Sequence, residues 1–146
     1  VREAVETDLI PLTELFEGYR KFYKKNPDKQ GAENFLRERL SQRDSVIYIC
    51  EDKNGTLTGF TQLYPLFSST RMKKLWLLND LYVDEKYRGR GYSRMLIQRA
   101  KQLSRDTGAT GVMLQTAKTN IPGNKLYPSE GFVLDEEFNT YNWDVV

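Results

Sequence analysis

Leu75-Trp76-Leu77-Leu78-Asn79-Asp80-Leu81-Tyr82-Val83, then Asp84-Glu85, then Lys86-Tyr87-Arg88-Gly89-Arg90-Gly91-Tyr92-Ser93 is the stretch on which the fold of this chain turns. Its opening run is nearly continuous and apolar, as a strand buried on both faces must be, yet Asn79 and Asp80 interrupt it in the middle. Polar residues there need a reason. The second half is basic and carries Gly89 and Gly91. From Gly91 to Thr107 the pattern becomes helical: Tyr92, Leu96, Ala100 and Leu103 fall on one face, with Arg94, Gln98, Lys101 and Arg105 on another. That is about four turns at 3.6 residues per turn, ending at Gly108 in the favoured C-cap position. Val112 to Thr116 reads as a second buried strand. Strand, helix, strand makes a crossover unit whose two strands run parallel.

Outward from this unit the elements alternate simply. Leu9, Leu12, Leu15, Phe16, Tyr19 and Phe22 stand at helical spacing until Asn26-Pro27, where a helix must stop. A shorter helix fits Ala32 to Leu40. Val46 to Cys50 is a β-branched run, Asn54-Gly55 a hairpin signal, and Thr56 to Leu66 a returning strand interrupted by Gly59 and Pro65. Downstream, a short helix from Ile121 to Ser129 and a hairpin, Phe132 to Leu134 with Tyr141 to Val145, close the chain.

Composition narrows the function. The 146 residues are 39% hydrophobic and 12% aromatic, which suits one domain, residues 1–146, with a packed core and argues against disorder. Lys and Arg number 22 against 20 Asp and Glu, leaving +2, so a polycation that coats nucleic acid or anionic membrane is not expected. Yet Lys86 to Arg105 holds seven basic residues and no acidic one, so an anionic ligand is expected there. The chain has no His, which removes the common His-based zinc sites and catalytic triads, and no metal is expected. Its one cysteine, Cys50, forms no internal disulfide and lies in an early strand away from the basic loop. No apolar run nears the ~20 residues of a membrane span, and Val1 to Leu9 is acidic and mixed where a signal peptide is basic then apolar. A reducing, cytoplasmic setting is the expectation.

The loop from Lys86 to Ser93 lies between a buried strand and a helix N-terminus. There the first helical N–H groups have no intrahelical acceptor and the macrodipole favours negative charge. Gly89 and Gly91 let backbone approach an anion without a Cβ in the way, and Arg88 and Arg90 add counter-charge. The loop lacks the Gly-Lys-Ser/Thr ending of a Walker loop, and the third Gly of a dinucleotide fingerprint. The alternative is a glycine turn with solvated arginines.

These residues resemble the GCN5-related N-acetyltransferase (GNAT) superfamily. Its cofactor loop reads Arg or Gln, two residues, Gly, one residue, then Gly or Ala; here Arg88, Gly91 and Ser93 occupy those positions, Ser93 departing from Gly/Ala. Asn120, Leu126-Tyr127 and Gly131-Phe132 match the later signature of an Asn, a Tyr seven residues on, and Gly-Phe opening the next strand. The resemblance implies an α/β fold with a mixed, mostly antiparallel sheet of about seven strands, about four helices and a splayed parallel central pair. It implies acetyl-CoA as co-substrate and a primary amine as acceptor: a polyamine, another small amine or a lysine side chain, as in the diamine and histone-type branch. A homodimer is a further expectation from that branch.

Each matched residue then takes an implied role. The N–H groups of Arg88, Gly89, Arg90, Gly91, Tyr92 and Ser93 would cradle the pyrophosphate. Leu81, Tyr82 and Val83 would offer backbone groups to the pantetheine arm as an added strand, freed by a bulge near Asn79-Asp80. Asn120 would bind pantetheine or, equally, cap a helix. Tyr127 would protonate or stabilise the departing thiolate; the alternative is a tyrosine covering core with its hydroxyl in water. Asp80 would take the proton of the attacking ammonium, or else bond exposed backbone at the bulge. Asn79 stands where diamine acetyltransferases often carry Glu. Phe22, Tyr23, Tyr64, Phe67, Trp76 and Tyr82 are candidate walls of an acceptor cleft, although such aromatics are more often core, and Asp135-Glu136-Glu137 reads as solvated charge. The rival reading is a module that holds acyl-CoA without turning it over.

Overall fold

The computed structural model describes residues 1–145, and the chain divides into two compact units, residues 1–115 and residues 116 onward. The first unit is built on a five-stranded sheet in the order β1 (Arg2–Glu3), β2 (Val46–Glu51), β3 (Leu57–Ser68), β4 (Lys73–Val83) and β5 (Val112–Met113). All neighbours are antiparallel except β4 and β5, which run parallel as the crossover pattern requires. Three helices accompany it: α1 (Leu9–Phe22), α2 (Lys29–Gln42) and α3 (Tyr92–Asp106).

Side-chain alternation divides the core between the two faces of the sheet. Ile47, Ile49 and Phe60 join Leu12, Leu15, Phe16, Ala32 and Leu36 of α1 and α2. Tyr48, Cys50, Leu63, Trp76, Leu78 and Val83 join Leu96 and Ala100 of α3. Burying both faces explains why β2 and β4 read as apolar runs rather than as alternating strands. Pro65 sits inside β3 because β2 ends its pairing at Leu63; beyond that point β3 has only β4 beside it, so an absent N–H breaks no ladder.

The sheet has five strands where the sequence pattern and resemblance led to about seven. β5 stops at Met113 rather than Thr116, where the chain turns polar through Gln115, Thr116 and Lys118. The expected hairpin of Phe132–Leu134 with Tyr141–Val145 forms no strand among the described residues. Two short strands need a third strand or a packed face, and the second unit supplies neither to them. Conversely β1, two residues long and without any periodic signal, was not legible. It is held by Arg2, whose guanidinium donates to both carboxylate oxygens of Asp8 at 2.8 and 2.9 Å and to Glu51 at the end of β2. α2 is longer than the expected Ala32–Leu40 span, because Asp28 caps it by accepting from the Gly31 amide at 3.0 Å.

The second unit contains α4 (Ile121–Ser129). Asn120 caps it by accepting from the Gly123 amide at 3.2 Å. At its other end the Phe132 amide donates to the Tyr127 carbonyl and the Gly131 amide to the Pro128 carbonyl, both at 3.0 Å, with Gly131 at φ +88°. This is a Schellman closure, and its usual apolar contact is made by the Phe132 and Tyr127 rings, edge to face at 5.9 Å.

Candidate active site

β4 ends at Val83 and the chain passes through one 3₁₀ turn, Glu85–Tyr87, into the glycine loop. Asp84 starts that turn by accepting from the Lys86 amide at 3.0 Å. The Arg88 guanidinium folds back, its Nε donating to the Val83 carbonyl at 3.0 Å and its plane lying 5.6 Å from the Tyr82 ring centroid. Arg90 lies 5.4 Å from the Tyr87 ring. Both arginines remain exposed while lying near aromatic faces. Gly89 and Gly91 adopt φ +77° and +85°, and a Cβ at either would meet no atom within 4 Å. Positive φ explains the glycines. Gly91 is the N-cap of α3 and carries no side chain to bond the first helical amides; the ladder begins with the Met95 amide donating to the Gly91 carbonyl at 3.1 Å. The amides of Tyr92 and Ser93 precede that bond, which gives the loop the donor set of an anion site.

β4 pairs with β5 only at Trp76–Val112 and Leu77–Met113. From Leu78 to Val83 it has β3 on one side and no strand on the other among the described residues. Leu81, Tyr82 and Val83 therefore lie on an open edge that runs directly into the loop. Arg88 already donates to the Val83 carbonyl, which keeps its second lone pair.

The polar interruption in β4 is a β-bulge. Gln62 faces Asp80 and Leu63 faces Leu78, leaving Asn79 as the extra residue. Its effect is a change of parity: Trp76 and Leu78 before it and Val83 after it all serve the α3 face, while Asp80 turns to the other face with Tyr82. The freed Asn79 carbonyl accepts from the Tyr19 hydroxyl of α1 at 3.2 Å, and the Asp80 carbonyl accepts from Thr61 Oγ1 at 2.7 Å. The Asp80 carboxylate, 3% exposed, accepts from Gln62 Nε2 at 2.7 Å and Asn79 Nδ2 at 3.0 Å. Burial pushes its pKa up, and the hydrogen bonds of Gln62, Tyr19 and Asn79 pull it part of the way back. Burial likewise raises the Tyr19 phenol, with the nearby Asp80 charge adding to the effect, and pushes Tyr64 up to about 12. A carboxylate held nearly out of water, accepting hydrogen bonds and biased toward taking a proton, has the chemistry of a general base.

The sequence missed Gln62 and Tyr19, and it misjudged Cys50. Rather than lying away from the loop, the Cys50 thiol donates to the Tyr92 carbonyl at 3.8 Å, because β2 runs beneath the start of α3. It is buried, and desolvation pushes it up to about 11, so it remains a protonated packing group there. Of the candidate cleft aromatics, Trp76 is core, its indole N–H donating to Thr107 Oγ1 at 2.9 Å; Phe22, Tyr23 and Phe67 are exposed.

Tyr127 and Asn120 belong to the second unit. The Asn120 carboxamide, besides capping α4, donates to Thr116 Oγ1 at 2.8 Å, so the capping alternative is realised. Tyr127 is fixed in orientation by the Schellman closure. No group of three or more metal-ligating side chains occurs among the described residues, and no helix there is long and apolar enough to cross a membrane.

Comparison with known proteins agrees with this geometry. The model of the acetyltransferase (GNAT) family matches residues 12–132. An uncharacterized N-acetyltransferase of Bacillus subtilis, YhfO, is 42% identical over 141 residues, covering 97% of this chain and 94% of its own length. A probable acetyltransferase of Haemophilus influenzae is 30% identical over 135 residues, covering 91% of this chain and 89% of its own. A crystal structure of a probable acetyltransferase, 39% identical, superposes with a TM-score of 0.93 over 99% of this chain and 96% of that one. With its glycine loop at a helix N-terminus and its parallel pair parting beside a bulge, the chain belongs to the GNAT acetyltransferases, whose members are acetyl-CoA-dependent acyltransferases.

Proposed function

We propose that this acetyltransferase moves the acetyl group of acetyl-CoA to a primary amine by direct attack in a ternary complex, within a single N-acetyltransferase domain. One observation carries the reading: the bulge presents the buried Asp80 carboxylate on the same open stretch of β4 that leads into the glycine loop. The loop amides from Arg88 to Ser93 hold the pyrophosphate, and Leu81 to Val83 pair with the pantetheine arm. Asn120 Oδ1 retains a second lone pair for the same arm. Asp80 takes a proton from the incoming ammonium and releases it to solvent; the amine nitrogen bonds the acetyl carbon as the carbon–sulfur bond breaks, and the second proton it sheds in becoming the amide restores the Tyr127 phenol. Tyr127 gives its phenolic proton to the departing thiolate, a role supported by its place in the matched signature. No cysteine-borne acetyl group is involved, since the Cys50 thiol is buried and protonated. That lone reduced thiol suits a cytoplasmic setting.

The acceptor classes are polyamines, other small amines and lysine side chains, all of which arrive as cations suited to a buried carboxylate. The protein acts as a homodimer, a reading supported by the apolar side chains of residues 133–145. Free-thiol release from acetyl-CoA, screened across polyamines, aminoglycosides, amino acids and lysine peptides, tests the function. Release above background with one class is expected. Heat of coenzyme A binding without release from any acceptor would favour the acyl-CoA-holding module instead, and absence of heat would remove both.

A further inference from the structure

Asp80 Oδ2 takes its shortest hydrogen bond, 2.7 Å, from Gln62 Nε2, and Gln62 is wholly buried on the neighbouring strand. A carboxamide has nearly the same shape either way round, so its orientation is set by its partners. Here the acceptor-only carboxylate takes the amino end, and at the far end Ser45 Oγ donates to Gln62 Oε1 at 2.8 Å, just before β2 begins. We propose that Ser45 and Gln62 form a positioning relay for Asp80, in which the serine hydroxyl anchors and polarises the glutamine carboxamide, whose amino group in turn holds the carboxylate oriented and ionised. The proposal deepens the reading of Asp80 as the base and rests on it only for its catalytic consequence.

The alternative orientation shows why the glutamine amino group matters. Turned over, Gln62 would set Oε1 against Asp80 Oδ2, lone pair against lone pair, in a site without bulk water to screen them. Only a protonated Asp80 tolerates that arrangement. The titratable groups facing the carboxylate are the phenols Tyr19 from α1 and Tyr64 from β3, and no cation is recorded against it among the described residues. With burial as the dominant influence, neutral donors alone keep the carboxylate ionisable, and Gln62 is the nearest of them.

Carbon-13 NMR of the Asp80 carboxyl in the unliganded protein tests this without any reference to turnover. Gln62→Met keeps the side-chain length and removes the donor; it is expected to raise the midpoint by about one pH unit or more. Ser45→Ala, at a half-buried site that packing tolerates, is expected to shift it the same way by less. A purely structural role would lower the melting temperature of both variants and leave both midpoints in place, and that result overturns the relay. Should Gln62→Met not fold, Ser45→Ala decides alone. The acidic limb of the acetyl-transfer rate is then compared: if the NMR midpoint moves while the limb does not, the relay stands and the base assignment to Asp80 falls.

Discussion

Asp80 stands under opposed influences, and the stronger of them determines how the protein responds to pH. Burial raises its pKa above the ordinary 3.8, so the folded chain holds this proton more tightly than the unfolded chain does. Stability from this group is therefore greatest in acid, falls as pH rises from about the ordinary value through the raised one, and is constant above it. Asp8 behaves oppositely: the Arg2 guanidinium lowers its pKa, so that contribution is present at neutral pH and lost as pH falls through the depressed value. Asp80→Asn is expected to remove the first slope from a denaturation series while leaving the second. In turnover the same variant flattens the rise toward alkaline pH, with kcat down ~10²-fold or more. Tyr127→Phe is expected to lower kcat comparably with coenzyme A affinity unchanged by calorimetry; loss of affinity instead would make Tyr127 a binding residue. The polar interruption at Asn79-Asp80 was legible as a bulge because carboxamide and carboxylate stand inside the apolar run Leu-Leu-Asn-Asp-Leu-Tyr-Val. Gln62 was not, since its pairing with a residue eighteen positions away depends on a bulge-shifted register that spacing alone does not encode.

Among the elements, α3 and β4 were the most legible, because a helix with one apolar face and a strand buried on both sides each leave a period in the sequence. β1 and the truncated β5 leave none at two residues apiece. The glycine loop was legible as a break between strand and helix, and the two glycines that bound α3 allow a controlled experiment. Gly91 at the start of α3 and Gly108 just past its end both have positive φ, +85° and +65°, and a Cβ at either meets nothing within 4 Å. Alanine at either site should therefore carry only the backbone penalty, roughly 1–2 kcal/mol of stability by denaturant titration. Only Gly91 belongs to the loop whose amides are proposed to hold the pyrophosphate; Gly108 lies past the other end of α3. Gly91→Ala is expected to weaken coenzyme A binding at least tenfold, and Gly108→Ala to leave it unchanged. Equal losses of affinity would assign the loop a folding role alone.

At the scale of the whole molecule, the unanswered feature is the C-terminal segment. Val133, Leu134, Phe138, Tyr141, Trp143 and Val145 are 77–91% exposed, and Tyr141, Trp143 and Val145 alternate with polar residues as one face of a strand would. Scattered exposed apolar residues are ordinary, but so many within one short segment support the proposed homodimer. Aromatic side chains bury about 150–250 Å² each, so two such segments exchanged between copies would cover more than ~1,200 Å², the range of a specific interface. Among the described residues β5 pairs with β4 alone, so an extended segment of a second copy would have an edge to join. The protein is therefore expected to sediment as a dimer at micromolar concentration. Tyr141→Lys with Trp143→Glu, which changes no residue of the loop or of the Asp80 network, is expected to yield a monomer that still binds coenzyme A. A monomeric wild-type chain, or a dimer indifferent to both substitutions, would remove the segment from the assembly.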